Sequence, residues 1–589
     1  MSHYRAPLDH MNFVLFDVLG SQCLSHTPRF ADATPEIFKA VMEEAAKLAE
    51  NVLLPTNQPG DREGTHYDPE TKTVTTASGF KEAYEVYQQG GWSGLSADPE
   101  FGGQGLPHLL KMVVDEMVCS TNLSFGMYPG LSHGAMDALT QHASAELQQT
   151  YLANLIEGKW TGTMCLTEPQ CGTDLGLIRT KAEPQADGSY AISGTKIWIT
   201  GGEHDLTDNI VHLVLAKLPG APNSSKGISL FLVPKVLPDG TRNDAYCGGL
   251  EHKMGINGSA TCVMNFEGAK GWLIGEENQG LKCMFTMMNA ARIMVGMQGL
   301  GLAETAYQVS LGFAKERLQS RSLSGPAQPD KPADPILVHP DVRRMMMRQK
   351  VLIEGSRAMA YWTGLHLDLS HSAEDEKARE TSDDILQLMT PVVKSFLTDE
   401  GYFSVDQALQ SMGGSGFTQD WPVEQLLRDG RIARIYEGTN GIQALDLVGR
   451  KLTMHGGRLA RTYFASLTQL LTDVKNEQHK AHCQTFITAL QGALVWLSRE
   501  AMNDPEQAGA AATPLLRMFA LTTLAVLWAK MADTAAKDDV AAQYSAEFIS
   551  SKEKSANHFY RLFVPEIQAL QQEVCAGKDT LMAMAEAEF

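Results

Sequence analysis

The sequence lacks the short motifs that mark several large classes of protein. It contains no G-x-x-x-x-G-K-[ST] loop and no H-E-x-x-H pair, and its glycine-rich pieces near 102 and 413 do not form G-x-G-x-x-G after a strand. P-loop NTPases, zincin proteases and Rossmann dehydrogenases are therefore unsupported. The 17 histidines do not show metal-ligand spacing, so no metal site is predicted.

Basic residues are scarce relative to acidic ones. Lys and Arg number 49 against 69 Asp and Glu, and the resulting formal net charge of −20 repels polyanions. Nucleic acid is therefore not expected as a partner. Nine cysteines without a Cys-x-x-Cys pair indicate a reduced, cytoplasmic protein with no disulfide framework.

Long uninterrupted apolar runs are also missing. The first residues contain no basic segment followed by an apolar core, so a secretory signal is not expected. The most apolar helix candidate, Pro514 to Trp528, is interrupted by Arg517 and closed by Lys530. This pattern predicts a buried helix rather than a membrane span.

Hydrophobic periodicity divides the chain into several parts, as 589 residues require. Helical spacing predominates except in a central stretch of short alternating runs, which predict strands over 189–192, 196–200, 210–216, 228–233 and 261–266. The predicted fold is mainly α with a central β-barrel or β-sandwich, followed by a bundle-type domain and further helices. The predicted divisions are an N-terminal extension 1–34, a helical domain 35–159, a β-domain 160–275, a bundle domain 276–455 and a C-terminal helical domain 456–589.

One carboxylate stands in a setting that suits catalysis. Glu437 lies between an apolar run and the pair Gly438-Thr439, which is typical of a turn followed by the N-cap of a new helix. Such a carboxylate is either a general base in a cleft or a favourable charge at a helix start. The residues alone leave both interpretations open.

Two further clusters combine hydroxyl, glycine and aromatic residues near predicted strands. Thr167-Glu168-Pro169 precedes Gly172-Thr173-Asp174, and Trp198-Ile199-Thr200 ends a strand. Turns of this kind supply backbone N–H groups and hydroxyls to a polar planar ligand, and a strand-end aromatic can face a cleft. Taken singly, each cluster is also an ordinary corner of a β-domain.

Taken together, five ordered motifs resemble those of the acyl-CoA dehydrogenase family over residues 35 to 455. They are MCLTEPQCGTD (164–174), KIWITGG (196–202), EHKMGINGSAT (251–261), QSMGGSGF (410–417) and RIARIYEGTNGIQ (431–443). The resemblance implies a helical N-terminal domain, a β-domain and a four-helix bundle. Three further features resemble the larger bacterial branch that includes methylthiopropionyl-CoA dehydrogenases: the YRAP sequence that begins at Tyr4, the Pro-rich segment 322–340 and the helical tail.

The resemblance implies FAD as the cofactor and a dimer in which each FAD is shared. The Thr200 hydroxyl would lie near the hydride-accepting nitrogen, while Arg317 and a neighbouring subunit's 410–414 segment would hold the pyrophosphate and adenine. The residues expected to contact FAD are Met164, Cys165, Leu166, Thr167, Thr173, Trp198, Ile199, Thr200, Arg317, Gln410, Gly413, Gly414 and Thr439.

The resemblance also makes Glu437 the base that removes the α-proton of an acyl-CoA while a β-hydride passes to flavin. In the family, the base's backbone N–H and a ribityl hydroxyl polarise the thioester carbonyl. Burial beside the acyl chain is expected to raise the pKa of Glu437. Some members carry the base on an earlier helix, at the position of Ala291 here. Substrate contacts are expected from Thr173, Asn289, Arg292, Glu437 and Gly438, with Asn289 standing where the family usually has Asp.

Several alternatives concern substrate and electron acceptor. Methionines and small residues near 287–297 favour a deep pocket for medium-to-long acyl chains, as in fatty-acid β-oxidation, although they also suit plain core. The branch resemblance equally allows 3-methylthiopropionyl-CoA. Electron transfer flavoprotein is the expected electron acceptor. The alternative interpretations of the whole protein are an acyl-CoA oxidase and a non-catalytic flavoprotein of the alkylation-response type.

Overall fold

A computed structural model describes residues 4–589, without the side chains of residues 286–290. The chain divides into two compact units. One, the helical unit, comprises Met1–Glu43, Pro107–Glu116 and Val295–Phe589; the other, the sheet unit, comprises Glu44–Leu106 and Met117–Met294. The predicted fold class, mainly α with a central β-domain and further C-terminal helices, is confirmed.

Helices dominate both ends of the chain. The α-helices are α1 (Leu8–Asn12), α2 (Pro35–Leu48), α3 (Leu54–Glu63), α4 (Phe80–Gln89), α5 (His108–Thr121), α6 (Leu123–His142), α7 (Ala145–Ile156), α8 (Gly280–Glu316), α9 (Pro340–Ser372), α10 (Glu376–Met412), α11 (Val423–Gly430), α12 (Asn440–Asp446), α13 (Arg458–Leu471), α14 (Glu477–Glu500), α15 (Pro505–Ala535), α16 (Asp538–Ala541) and α17 (Ala546–Ala576).

The strands of the sheet unit form a small hairpin and a larger sheet. They are β1 (His66–Asp68), β2 (Thr73–Thr75), β3 (Trp160–Cys165), β4 (Lys181–Pro184), β5 (Tyr190–Thr200), β6 (Asn209–Lys217), β7 (Ile228–Pro234), β8 (Ala245–Leu250) and β9 (Thr261–Ile274). The larger sheet has the order β3-β6-β4-β5-β9-β7 with β8 beside β9. Because β7 also pairs with β6, the pairings close on themselves as in a barrel.

The core of this barrel follows from its apolar strands. β6 and β7 are almost continuously apolar and buried along their length, as expected of strands covered on both faces. Helix α6 packs against β3 at Gly162, where a Cβ would lie 2.5 Å from the Cβ of Ala135. The predicted segments 189–192 and 196–200 prove to be one strand, β5, which carries bulges after Ile192 and after Lys196.

In the helical unit, the long helices α8 and α10 touch through their backbones. A Cβ on Gly299 would lie 2.3 Å from the carbonyl oxygen of Leu397, and one on Gly401 would lie 2.4 Å from the carbonyl oxygen of Gly299. Glycine at these two positions therefore sets the spacing of the bundle. Helix α10 also carries the buried Lys394, whose contacts are described below.

Helix α15 is the apolar helix that the sequence predicts to be buried, and this prediction is confirmed. By length and composition it is the one described helix that could cross a membrane, but 83% of its most apolar window is buried inside the protein. Trp528 at its centre is fully buried and donates its indole N–H to the carbonyl oxygen of Val351 at 3.1 Å.

A buried network of charges joins the beginning and the end of the helical unit. The Arg357 guanidinium donates to Glu116 at 2.6 Å and to Glu304 at 2.6 Å, and it also donates to Nδ1 of His10 at 3.0 Å. Burial lowers the pKa of His10 well below its usual value, so its ring is neutral and accepts this bond. Lys552 of α17 donates to Glu354 at 3.0 Å, and the same carboxylate lies 3.6 Å from Nε2 of His10, which links α17 to the network.

Candidate active site

Glu437 lies on a tight loop between the short 3-10 turn Ile432–Arg434 and helix α12. The Thr439 hydroxyl oxygen accepts from the N–H of Ile442 at 3.2 Å, which makes Thr439 the helix N-cap. Glu437 has φ +55° and Gly438 has φ +82°. A left-handed conformation costs a non-glycine residue about 1–2 kcal/mol and is concentrated at functional sites.

The carbonyl groups of this loop are held from two directions. The Lys394 ammonium, on α10 and fully buried, donates to the carbonyl oxygen of Gly438 at 2.9 Å and to Oδ1 of Asn440 at 2.8 Å. The Gln443 side-chain amide donates to the carbonyl oxygens of Glu437 at 3.1 Å and Gly438 at 3.2 Å. These bonds hold the backbone of the loop in its strained conformation.

Sequence reasoning did not identify Lys394 or Gln443 as parts of the site. A signal for Lys394 was present, because this charged residue lies between Val393 and Phe396 on a buried helical face. A buried ammonium requires acceptors, and here they are loop carbonyl oxygens. On the other side of Glu437, the Tyr436 hydroxyl makes a short hydrogen bond with Oε1 of Gln298 on α8.

In the sheet unit, the two clusters expected to line flavin lie side by side. The backbone N–H of Ile197 donates to the carbonyl oxygen of Thr167 at 3.0 Å, which joins the segment after β3 to the bulge of β5. Trp198 has φ +60° within this bulge and its side chain is 60% exposed, although it is a large aromatic. An exposed, strained aromatic at a bulge offers a planar face to a planar ligand.

The other residues of these clusters divide between core and surface. Met164, Cys165 and Ile199 are buried, so their side chains support the site from behind, whereas Leu166, Thr167 and Thr200 are half-buried. Thr173 is exposed, and the neighbouring Asp174 caps a short turn by accepting from the N–H of Gly176 at 3.0 Å.

Glu168 and Lys196 form a buried ion pair directly behind these clusters. Lys196 Nζ donates to Oε1 of Glu168 at 2.8 Å and to the carbonyl oxygen of Leu166 at 2.9 Å. Burial raises the pKa of Glu168, but the Lys196 charge and the hydrogen bonds from Thr180 and Arg179 outweigh it and leave that pKa at about 2. The carboxylate is therefore ionised at neutral pH.

The remaining predicted contacts lie on other parts of the chain. Gly413 ends α10 with φ +59°, and nothing lies within 4 Å of a Cβ built on Gly413 or Gly414, so both backbones are open to a ligand. Gln410 and Arg317 are exposed. Arg292 is buried with its guanidinium 6.0 Å from the Phe285 ring centroid. Asn289 falls within residues 286–290, outside the described side chains.

These residues suit a flavin-dependent dehydrogenase: the helical unit carries a carboxylate on a strained, anchored loop, and the sheet unit carries a face with an exposed aromatic and hydroxyl groups. Four family models match the chain: acyl-CoA dehydrogenase N-terminal domain at 36–159, middle domain at 163–269, C-terminal domain at 278–453, and acetyl-CoA dehydrogenase C-terminal like at 463–585.

Full-length relatives agree with the family models. The chain is 39% identical to the 3-methylmercaptopropionyl-CoA dehydrogenase of Ruegeria pomeroyi, over 98% of this chain and 99% of the relative. It is 33% identical to the broad-specificity linear acyl-CoA dehydrogenase FadE5 of Mycobacterium tuberculosis, over the whole of both chains. The chain belongs to the acyl-CoA dehydrogenase family and is an enzyme of that type.

A solved structure supports the same fold. The acyl-CoA dehydrogenase of Bacillus anthracis, determined in complex with FAD, aligns with a TM-score of 0.75 at 21% identity and covers 94% of this chain and 90% of its own. FAD is the cofactor of the present enzyme as well. The residues fit it: Trp198 exposes an aromatic face, and the open backbone at Gly413 and Gly414 leaves room for phosphate groups.

Proposed function

We propose that this enzyme oxidises the Cα–Cβ bond of a saturated acyl-CoA to a trans-2-enoyl-CoA, with Glu437 as the catalytic base. The observation that carries the proposal is the loop of Glu437, which is strained at Glu437 itself and anchored by Lys394 and Gln443. A carboxylate that only interacts favourably with a helix start does not need its loop to be fixed. Here the buried Lys394 ammonium fixes the carbonyl group of the next residue, Gly438.

The chemistry follows from the weak acidity of the substrate. An α-proton of a thioester leaves only when the base is close and the carbonyl oxygen is stabilised by hydrogen-bond donors. We propose that the Glu437 carboxylate takes this proton and that the Glu437 N–H donates to the thioester carbonyl oxygen. Bound FAD supplies the acceptor for the β-hydride. Ala291, at the alternative base position, has no group that accepts a proton, which supports Glu437 as the base.

Two substrate classes compete. The 39% identity to a relative named for 3-methylmercaptopropionyl-CoA supports that short thioether chain as a candidate. The relative named for linear acyl-CoA of broad specificity supports unbranched chains, including the medium-to-long chains of fatty-acid β-oxidation. We propose an unbranched acyl chain, a class that includes the 3-methylthiopropionyl group.

A panel of thioesters tests the proposal directly. The holoenzyme is mixed under anaerobic conditions with butyryl-, 3-methylthiopropionyl-, octanoyl- and palmitoyl-CoA, and the loss of the flavin absorbance band is recorded. Bleaching by at least one thioester, with appearance of the enoyl product, is expected. If none of the four bleaches the flavin, the proposed function fails and the non-catalytic reading is favoured.

The electron acceptor and the assembly are parts of the same proposal. We propose electron transfer flavoprotein as acceptor, a homodimer as the assembly and the cytoplasm as the location. Steady-state oxygen uptake separates a dehydrogenase from an oxidase. A dehydrogenase consumes little oxygen during turnover, whereas an acyl-CoA oxidase uses oxygen to reoxidise its flavin. The net charge of −20 argues against the nucleic-acid binding of alkylation-response relatives.

A further inference from the structure

Strand β5 leaves its register with β9 at the place where it carries Trp198. Lys196 pairs with Met264 and Ile199 pairs with Cys262, so the bulge between them removes Ile197 and Trp198 from the ladder. The N–H of Ile197 bonds instead to the carbonyl oxygen of Thr167 at 3.0 Å. A bulge with a left-handed aromatic persists only where neighbouring groups over-determine it.

Lys196 is the neighbouring group that fixes the other side of the bulge. Its side chain is 0% exposed, and its ammonium donates to the carbonyl oxygen of Leu166 at 2.9 Å. The carbonyl groups of Leu166 and Thr167 are therefore both bound to β5, one by a side chain and the next by the backbone. Two successive anchors fix the orientation of both peptide planes.

Glu168 keeps the Lys196 ammonium in this position. It accepts from Lys196 at 2.8 Å, and its two oxygens also accept from the segment that follows. These further donors are the N–H of Arg179 at 2.6 Å, the N–H of Thr180 at 3.0 Å, the Thr180 hydroxyl at 2.6 Å and the Gln170 amide at 2.6 Å. With so many donors, Glu168 has little freedom to move, and Lys196 shares that rigidity.

Peptide geometry relates this anchor to the flavin face. In a trans peptide the C=O and N–H point in opposite directions, so the bond from Lys196 to the Leu166 carbonyl turns the N–H of Thr167 away from the buried side. We propose that Lys196 is a positioning residue for the flavin: its ammonium holds the Thr167 N–H and the Trp198 indole in the arrangement that receives the isoalloxazine ring. The inference rests on the proposed flavin contacts of these two residues.

The alternative is that the ion pair has only a structural role. A buried pair contributes little net stability, but the removal of one partner is costly because the other charge stays buried and unpaired. A single substitution therefore cannot separate the two roles. The double variant Glu168→Gln/Lys196→Met can, because the glutamine amide oxygen still accepts from Thr180 while no buried charge remains.

The test uses full-length protein stripped of FAD. Wild type, Lys196→Met and the double variant are titrated with FAD by flavin fluorescence, their bound-flavin absorption spectra are recorded, and the thermal unfolding of each apoprotein is measured. Lys270→Met is the matched control, since Lys270 lies on β9 of the same sheet in an exposed pair with Asp187 at 2.8 Å.

The expected result is a divergence between stability and FAD affinity. Lys196→Met binds FAD at least about tenfold more weakly, because the Thr167 N–H and the Trp198 indole are no longer fixed in advance and must be ordered when FAD binds. The double variant regains part of the apoprotein unfolding temperature, because no buried charge remains although the glutamine NH2 faces the Arg179 N–H. It keeps the weakened affinity and an altered flavin spectrum. Lys270→Met behaves as wild type.

Two results would overturn the inference: FAD affinity that returns together with stability in the double variant, or wild-type affinity and spectrum in Lys196→Met. If Lys196→Met is insoluble, the double variant alone decides between the two roles. It binds FAD weakly if Lys196 positions the flavin contacts, and with wild-type affinity if the ion pair is only structural. Wild type that binds FAD but is bleached by no thioester would defeat the proposed reaction and leave this inference standing.

Discussion

The buried ammonium of Lys394 donates to the carbonyl oxygen of Gly438, the residue that follows Glu437, at 2.9 Å. This bond fixes the peptide on the C-terminal side of the base, while Gln443 fixes the carbonyl group of Glu437 itself at 3.1 Å. The backbone on which the proposed base is carried is thus held by two side chains that have no part in the proposed proton transfer. Its position depends on α10, which carries Lys394.

Lys394→Met is expected to lower kcat by about 10²-fold, because misplacement of a catalytic group by roughly 1 Å has an effect of that size. KM is expected to change little, since Lys394 is not predicted to contact substrate. Steady-state kinetics measures both quantities. Lys377→Met, an exposed lysine on the same helix, is the matched control. An unchanged kcat in Lys394→Met would show that the loop keeps its conformation without this anchor.

Glu437→Gln is expected to bind acyl-CoA without reducing flavin. The amide keeps the size of the side chain but cannot accept the α-proton, and loss of a general base lowers rates by about 10²–10⁴-fold. Anaerobic stopped-flow mixing measures flavin reduction, and the perturbation of the flavin spectrum by bound thioester reports binding. Rapid flavin reduction by the variant would remove Glu437 from its proposed role.

Gly438→Ala is expected to disrupt the base loop. The residue has φ +82°, where alanine costs about 1–2 kcal/mol, and the new Cβ would lie 2.7 Å from the Gln443 amide nitrogen. Lower kcat and lower resistance to urea are both expected. Gly441→Ala is a close control, because Gly441 is helical and its Cβ would lie 3.9 Å from the nearest neighbouring atom, the Thr439 hydroxyl oxygen. That variant should be neutral or slightly more stable.

Glu168 is expected to make the enzyme acid-sensitive. Its pKa is about 2 in the folded protein against an ordinary 4.5, so the stability it contributes is fully present above pH 4.5 and is lost as the pH falls towards 2. The gap corresponds to about 3 kcal/mol. Urea unfolding of wild type and Glu168→Gln at pH 6, 4 and 3 measures it. The stability difference between the two proteins should shrink as pH falls; a constant difference would contradict the prediction.

Arg357→Met is expected to destabilise the helical unit by about 3–5 kcal/mol, because Glu116 and Glu304 would remain buried without their cation. Urea unfolding provides the measurement. Arg344→Met on the same helix is the control: its pair with Asp341 is exposed and screened by water, so little change is expected. Equal effects of the two substitutions would mean that burial does not decide the contribution of these pairs.

The long helices and the apolar strands could be predicted because their hydrophobic patterns are strong. The end of strand β3 at Met164 is strand-like in sequence, but its earlier part was missed because its polar face is buried. The hydroxyls of Thr161 and Thr163 lie 2.8 Å from ring nitrogens of His204 and His212, and all four residues are shielded from solvent. A pattern that equates polar with exposed cannot find such a strand.

The candidate site was predictable where it is local in sequence. The turn and N-cap at Gly438-Thr439 follow from residue types, and the structure shows both. The anchoring contacts do not follow from residue types, because Lys394 is 44 residues from Gly438 and Lys196 is 30 residues from Leu166. Contacts at such separations depend on the packing of elements, which a single sequence does not specify.

The network around Arg357 also has a consequence for synthesis on the ribosome. His10 leaves the exit tunnel 542 residues before Lys552, yet both meet Glu354 in the folded protein, at 3.6 Å and 3.0 Å. At about 5–20 residues per second, translation separates them by roughly half a minute to two minutes. The nascent N-terminal segment therefore waits for its final partners. A chain that stops before Lys552 leaves the buried Glu354 carboxylate with Lys350 but without its second cation.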